Sequence, residues 1–182
     1  MIVALAGRRI DALGAKDIRF PLSNADEVKE KLKALFISLK PAALVSSAAC
    51  GADLLALQVA DKLNIQRAIV LPFDQQLFKS TSVTDRPGDW GELYDQVCQA
   101  VINEEGINVL NYSPDDPETY RQTNVDILET AMDLGRKHDS KNFTAVIVWE
   151  GKPKDEDDTT EHFRNEATRS GFKIFEIITS KN

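Results

Sequence analysis

The residues best suited to chemistry lie in four short polar stretches, each of which comes soon after an apolar run. The first is Gly7-Arg8-Arg9, which directly follows the apolar run Ile2–Ala6. A glycine lets the chain pass close to a ligand, and two guanidinium groups have the fork geometry that binds phosphate. Surface arginines paired with acidic residues are the alternative interpretation. The position at a strand end favours a ligand, so all three residues are predicted to bind one.

The second stretch is Ser46-Ser47-Ala48-Ala49-Cys50-Gly51-Ala52-Asp53, between an apolar run and a helical pattern. Its small residues predict a tight turn that presents backbone N–H groups and the positive end of a helix dipole. A phosphate is the usual ligand at such a turn, and Ser46, Ser47 and Gly51 are therefore predicted to bind one. Tight strand–helix packing also explains the small residues, and stabilisation of the helix dipole also explains Asp53.

The third stretch is the polar loop Lys79–Gly91, which is rich in hydroxyl, carboxylate and guanidinium groups. We predict that Asp85, Arg86 and Trp90 close over the base or sugar of a ligand, because an indole ring can stack on such groups. The alternative is an ordinary polar loop whose tryptophan anchors the helix that follows.

The fourth stretch runs from Trp149-Glu150-Gly151 through a charged loop to Thr159-Thr160-Glu161, which opens a helix. Hydroxyls and free N–H groups there predict a second phosphate or a ribose bound by Thr159 and Thr160. Either threonine is equally suited to cap the helix. The acidic run Asp155–Asp158 would suit a metal or the helix dipole, and of these the helix dipole is the favoured explanation.

Other catalytic and cofactor motifs are missing from the sequence. His138 and His162 have no metal-ligand spacing with each other or with Cys50 and Cys98. Neither a GxSxG serine motif nor a GxxxxGK[ST] phosphate loop occurs. We therefore predict neither a metal nor a cofactor.

The elements that must position these residues alternate in type. Short apolar runs typical of strands buried on both faces are Ile2–Ala6, Ala43–Ser46, Ala68–Leu71, Asn108–Asn111, Thr144–Trp149 and Lys173–Ile178. Helical spacing links Val28, Leu32, Leu35, Phe36 and Leu39; Leu55, Val59, Ala60 and Leu63; Tyr94, Val97, Val101 and Ile102; Ile127, Leu128, Ala131 and Leu134; and Phe163 and Ala167. Asn24 and Glu27 have the spacing of a capping box for the first helix.

This alternation predicts an α/β, Rossmann-like, doubly wound and mainly parallel sheet with helices on both faces. Ligands of such sheets bind beyond the C-terminal ends of the strands, where the four polar stretches are expected. The start of the fourth helix adds Tyr120, Arg121 and Asn124, which either line the pocket or form a solvated helix face.

The whole chain of 182 residues, 42% of them hydrophobic, suits a single domain over residues 1–182. It has 29 Asp and Glu against 22 Lys and Arg, a net charge of -7, which disfavours binding to DNA or an anionic membrane surface. Two cysteines are too few for a disulfide framework, so we expect a reducing, cytoplasmic setting. The N-terminal run is too short for a signal peptide, and no run approaches the roughly 20 apolar residues of a membrane span.

The order of the motifs resembles that of the SLOG superfamily, which includes DNA-processing protein A and the Lonely Guy phosphoribohydrolases. Val45–Asp53 resembles its small-residue turn, and Ala4–Arg9 resembles the first-strand motif of the YspA/YpsA-like branch. Trp149–Gly151 followed by Thr159–Glu161 resembles a later segment of the same branch. The resemblance covers most of the chain. It implies a Rossmann-like pocket for a nucleotide or nucleotide-derived ligand, as in ligand sensors of bacterial conflict systems.

Three function hypotheses follow. The first is a sensor module that binds such a ligand, with assembly into a homo-oligomer as a further expectation. The second is a phosphoribohydrolase-like enzyme that cleaves an N-glycosidic bond, which needs a carboxylate near the anomeric carbon; Asp53, Asp85 and Glu161 are the candidates. Asp157 and Asp158 stand where the Lonely Guy signature has glycines, which favours binding over cleavage. The third is a subunit that acts mainly by assembly.

Overall fold

A computed structural model describes residues 1–101 and 106–180, which form a six-stranded parallel sheet with helices on both faces. The strands are β1 (Ile2–Gly7), β2 (Ala43–Ser46), β3 (Gln66–Leu71), β4 (Ile107–Val109), β5 (Phe143–Trp149) and β6 (Lys173–Ile178). Their order across the sheet is β4-β3-β2-β1-β5-β6, and all neighbouring pairs are parallel. The predicted Rossmann-like α/β fold is confirmed.

Six α-helices connect or flank these strands in the described part of the chain. They are α1 (Ala25–Leu39), α2 (Ala52–Lys62), α3 (Gln75–Ser82), α4 (Trp90–Val101), α5 (Thr119–Lys137) and α6 (Thr159–Arg169), with a short 3-10 turn at Leu22–Asn24. Ile102, which the sequence pattern assigns to the third predicted helix, lies outside the described residues. No helix in the described part is long and apolar enough to span a membrane.

The core has two halves, one on each face of the sheet, because the strands are buried on both sides. Along β1, Val3 and Leu5 pack with α1, α2 and α4, whereas Ile2 and Ala4 pack with α5 and α6. Successive side chains of a strand point to opposite faces, so a continuous apolar run serves both halves. Both halves hold their helices against the same sheet and thereby fix the loops at its C-terminal edge.

The loop predicted over Lys79–Gly91 starts later than expected, because α3 extends to Ser82. Asp74 caps this helix by accepting hydrogen bonds from Gln76 N at 2.8 Å and Leu77 N at 3.2 Å. Phe78 is buried and ties the helix to the core. Its eight residues are too few for a clear apolar period, so its helical state depends on the cap and on Phe78.

The predicted capping box at the start of α1 is wrong. Asn24 occupies the N-cap position, but its side chain makes no capping hydrogen bond. Its amide Nδ2 instead donates to Thr179 O at 2.9 Å, just beyond the end of β6. A tertiary hydrogen bond thus replaces the local one that the spacing predicts.

Candidate functional site

A cavity of about 240 Å³ lies at the C-terminal ends of β1 and β2. Its walls come from the end of β1, the β2–α2 turn, the last half of α3 and the first turns of α5 and α6. The chain reverses its direction across the sheet at β1, since β2, β3 and β4 lie on one side and β5 and β6 on the other. Open α/β sheets bind ligands outside the strand ends at such a switch point.

The structure brings together part of the predicted site. The predicted residues that line the cavity are Gly7, Arg9, Ser47, Asp53, Thr159 and Thr160, joined by Tyr120 and Asn124 from α5. Within the described chain, the predicted residues that do not line it are Arg8, Ser46, Gly51, Asp85, Arg86, Trp90, Arg121 and Glu161. Of the three candidate catalytic carboxylates, Asp53 alone reaches this cavity.

Asp53 is a buried acid in the wall of the cavity, with 6% of its surface exposed. Its Oδ2 accepts a hydrogen bond from Ala49 N at 3.2 Å, whereas Oδ1 has no partner in the described chain. Burial raises the pKa of Asp53 to about 7, although Ala49 N–H, the Ser46 hydroxyl and Arg9 all act to lower it. The Ser46 hydroxyl does not reach a well-formed hydrogen bond and is itself without a partner. Asp53 can therefore gain or lose a proton near neutral pH.

Arg9 supplies the positive charge of the cavity wall. Its Nη1 donates to both oxygens of Asp85, at 3.0 and 2.9 Å, and to Thr81 O at 3.0 Å. The side chain is 33% exposed, and all of these contacts use one terminal nitrogen. Asp85 also pairs with Arg86 at 3.4 Å. Asp85 does not line the cavity, but it holds the side chains of Arg9 and Arg86 in place.

Arg8 has a different role from its neighbour. Its guanidinium group donates four hydrogen bonds: two to Glu150 at 2.6 and 3.2 Å, one to Asp158 at 2.7 Å and one to Lys152 O at 3.1 Å. Arg19 also donates to Glu150, at 3.0 Å. The three charged side chains Arg8, Glu150 and Asp158 are at most 10% exposed. The ion-pair interpretation of Arg8 therefore agrees with the structure, and a phosphate could reach Arg8 only by displacing these carboxylates.

The start of α6 is capped by Asp158, so the prediction that a threonine caps it is wrong. Asp158 Oδ1 accepts from Thr160 N at 2.8 Å and from Glu161 N at 3.1 Å, and Oδ2 accepts from Lys154 N at 2.5 Å. Burial acts to raise the pKa of Asp158, but Arg8 and these N–H groups outweigh it and lower the pKa below its ordinary value. An internal carboxylate thus takes the position at this helix start where a second phosphate was predicted.

The β2–α2 turn has the predicted shape but satisfies many of its own N–H groups. Gly51 has a φ of 92°, and a Cβ there would lie 2.8 Å from Arg8 O, so close packing on the backbone beyond β1 requires glycine. The internally bonded groups are Ala49 N, Cys50 N, Ala52 N and Leu54 N, which donate to Asp53 Oδ2, Ser82 O, Arg8 O and Ala49 O at 3.2, 3.1, 3.2 and 3.3 Å. Anion binding by this turn stays a prediction.

Gly7 and Trp90 are also explained by packing. A Cβ on Gly7 would lie 2.5 Å from Ala52 Cβ and 2.6 Å from Val148 O, so glycine is needed where β1 meets α2 and β5. Trp90 is buried in the core at the start of α4, and its Nε1 donates to Pro87 O at 2.8 Å. The structure thus places Trp90 as an anchor of α4, which was the alternative interpretation of that loop.

Helix α5 contributes more of the wall than the sequence analysis assigned to it. Thr123 and Ile127 line the cavity together with Tyr120 and Asn124, and their spacing of three and four residues places all four on one helix face. The sequence does contain a signal for Thr123 and Ile127, because both follow Tyr120 at helical spacing. Asn124 Nδ2 also donates to Thr159 O at 2.7 Å and lies 3.5 Å from His162 Nδ1, which ties α5 to α6.

Two further lining residues, Phe78 and Ser82, come from α3, which the sequence analysis did not assign to the site. Ser82 Oγ lies 3.4 Å from the Tyr120 hydroxyl and so links α3 to α5. Within residues 1–101 and 106–180, no group of three or more His, Cys, Asp or Glu side chains is placed to hold a metal ion.

Comparison with known proteins finds a similar fold among solved structures. No protein-family model and no curated protein matches the sequence. A solved structure that resembles this fold is the X-ray structure of DNA processing protein A (DprA) from Streptococcus pneumoniae, with a TM-score of 0.42 and 16% sequence identity. The match covers 95% of this chain and 57% of that one, so the chain spans less than two thirds of the DprA chain. The sheet order and the helices on both faces place the protein in the Rossmann-like α/β class, and its likeness to DprA concerns the fold alone.

Proposed function

We propose that this chain binds a nucleotide or nucleotide-derived ligand in the cavity at the ends of β1 and β2. The observation that carries the proposal is the composition of that cavity at the switch point of the sheet. It combines a guanidinium group from Arg9, a buried carboxyl from Asp53 and polar side chains such as Ser47 and Asn124. A mononucleotide carries groups that complement each of these: a phosphate, a base with hydrogen-bond donors and a ribose.

The size and the apolar part of the wall support a small ligand. A cavity of about 240 Å³ falls below the roughly 300–1,000 Å³ of sites for drug-sized ligands. Leu5, Phe78 and Ile127 close the apolar floor of the cavity, each with at most 2% of its surface exposed, and so limit its depth. A mononucleotide, with its phosphate at the exposed guanidinium of Arg9, therefore suits this cavity better than a dinucleotide.

The biological role that we propose is that of a sensor module in a bacterial system. The sequence motifs that resemble the SLOG superfamily, and its YspA/YpsA-like branch, support this role. The capped start of α6 supports it too, because Asp158 takes a position where the Lonely Guy signature has glycines. A sensor needs to bind its ligand and does not need to cleave it.

The test is titration calorimetry with the four ribonucleoside 5′-monophosphates. We expect at least one to bind, and we expect Arg9→Ala to weaken that binding by roughly ten-fold or more because a charge-assisted contact is lost. Arg136→Ala is the matched control, since Arg136 is 75% exposed and does not line the cavity. If none of the four nucleotides binds, the proposed function is overturned. If Arg9→Ala and the control bind with equal affinity, Arg9 does not contact the ligand.

A hydrolase that cleaves an N-glycosidic bond is the second candidate function, and Asp53 is the observation that favours it. A carboxyl with a pKa of about 7 in a ligand cavity can serve as a general acid or base near neutral pH. Incubation with nucleoside monophosphates and NAD should then release free base, and Asp53→Asn should abolish the release. Measurable binding without any release would favour the sensor module.

A further inference from the structure

Asp53, a residue of the cavity wall, has a carboxyl oxygen that forms no hydrogen bond in the described chain. Asp53 Oδ1 is buried and has no hydrogen-bond partner in the described chain, whereas Oδ2 of the same carboxyl is held by Ala49 N. A buried carboxyl oxygen without a partner is costly, and most buried polar atoms in folded proteins have one. Asp53 lines the cavity, and the nearby Ser46 hydroxyl forms no hydrogen bond in the described chain, so a bound ligand is the candidate partner for Oδ1.

The guanidinium group of Arg9, which lies in the same cavity wall, bonds to groups other than Asp53. Arg9 lines the same cavity and acts on Asp53 electrostatically, but its hydrogen bonds go to Asp85 and Thr81 O. Asp85 thus holds the guanidinium away from a direct bond with Asp53. The cavity therefore presents a cation and an acid as two separate groups, and a ligand can contact both.

We propose that Asp53 Oδ1 accepts a hydrogen bond from the bound ligand, so that the cavity selects ligands that place an N–H or O–H donor at this position. The inference rests on the proposed nucleotide-binding function and deepens it. The amino group of a base and a hydroxyl of the ribose are the two nucleotide sources of such a donor. Asp53 is then a specificity-determining residue, and Arg9 supplies the charge that attracts the phosphate.

Binding of the ligand to Asp53 should be coupled to the release of a proton. Burial leaves the Asp53 carboxyl protonated in part at neutral pH and largely at about pH 6. A ligand donor at Oδ1 stabilises the ionised form, so the carboxyl proton passes to the buffer as the hydrogen bond forms. Arg9 favours the same ionised form. Other titratable groups around the cavity are Tyr120, Asp85 through its pair with Arg9, and His162 beside Asn124.

The experiment measures proton release by calorimetry at about pH 6 in two buffers of different ionisation enthalpy, with the four ribonucleoside 5′-monophosphates as probes. The ligand phosphate also titrates in this range, and burial lowers the pKa of His162 from its ordinary value, so the informative quantity is the difference between wild type and Asp53→Asn. We expect wild type to release close to one proton more per bound ligand than the variant. We also expect the variant to bind roughly ten-fold more weakly or worse.

Analogues separate the two sources of the donor. If the base supplies the donor, the analogue without the amino group should bind wild type more weakly than the parent nucleotide does, but should bind Asp53→Asn equally well. If the ribose supplies the donor, the 2′- or 3′-deoxy analogue should show the same pattern. Mononucleotide binding with equal proton release and equal affinity in both proteins would overturn this inference and leave the proposed function standing. Failure of all four nucleotides to bind wild type would overturn both.

Discussion

Two buried aspartates near the C-terminal edge of the sheet have opposite properties, and the number of donors around each explains the difference. Asp158 receives three backbone N–H groups and the Arg8 guanidinium, which lower its pKa despite burial. Asp53 receives one backbone N–H group, and burial raises its pKa to about 7. A fully bonded carboxylate serves the fold, whereas a poorly bonded one in a cavity is available for function.

The raised pKa of Asp53 predicts a specific pH dependence of stability. Its folded-state pKa of about 7 exceeds the ordinary value of 3.8, so the folded protein holds an extra proton between those values. This contribution is fully present below about pH 4 and is lost as pH rises through about 7. Asp53→Asn removes it, so the free energy of unfolding of the variant relative to wild type should rise by about 2–3 kcal/mol from pH 5 to pH 8.

Urea denaturation of both proteins at these two pH values measures the effect. Asp157→Asn is the control, because the Asp157 side chain is 93% exposed and its substitution should leave the difference from wild type nearly constant. A constant difference between Asp53→Asn and wild type would contradict the raised pKa.

At the scale of elements, the start of α6 illustrates how one carboxylate organises a sheet edge. Asp158 caps the helix, holds the preceding loop through Lys154 N and pairs with Arg8 just beyond β1. Arg8 in turn binds Glu150, which follows directly after β5. These contacts fix Thr159 and Thr160 at the cavity wall, so the ion pairs position a site in which they take no direct part.

We therefore expect Asp158→Ala to destabilise the fold strongly. The change removes a helix cap, typically worth about 1 kcal/mol, and breaks a buried ion pair, which costs about 3–5 kcal/mol when one partner is left. Thermal and urea unfolding should place the total loss in the range of a few kcal/mol. The neighbouring Asp157→Ala should cost no more than about 0.5 kcal/mol, because its pair with Arg121 is exposed. Equal effects of the two substitutions would contradict the capping role.

At the scale of the whole molecule, strand order and charge decide where a ligand can bind. The reversal of direction at β1 leaves a crevice above the sheet, and the ends of β1 and β2 with residues of four helices surround it. The net charge is -7, and Arg8, Arg9 and Arg19 each pair with carboxylates of the same molecule. The positive charge near the site is thus local, which suits a small anion.

The same charge balance predicts weak interaction with nucleic acid. At about 0.15 M salt, we expect no retardation of duplex DNA by this chain in a gel-shift experiment, because its net charge of -7 opposes binding to a polyanion. A basic protein of similar size is the positive control. Retardation that weakens steeply as salt rises would contradict this prediction and would point to a concentrated basic face.

Much of the fold could be predicted from the sequence, whereas the site could be predicted only in part. The strands and five of the six described helices follow from hydrophobic periodicity, a local property of the chain. The exception, α3, depends on the Asp74 cap and on the burial of Phe78. Ser47 and Asp53 line the cavity because a turn after a parallel strand lies at the edge of the sheet where ligands bind, whereas their binding of a ligand stays a prediction.

The sequence by itself determined which elements form and which edge of the sheet carries the polar residues. Only the tertiary structure decided which polar side chains face the cavity and which bind one another. Arg8 and Arg9 are adjacent in the chain, yet Arg8 is engaged by Glu150 and Asp158 whereas Arg9 lines the cavity. The partners of Arg8 lie 142 and 150 residues away, and contacts over such distances follow from the packing of strands and helices, which no local pattern records.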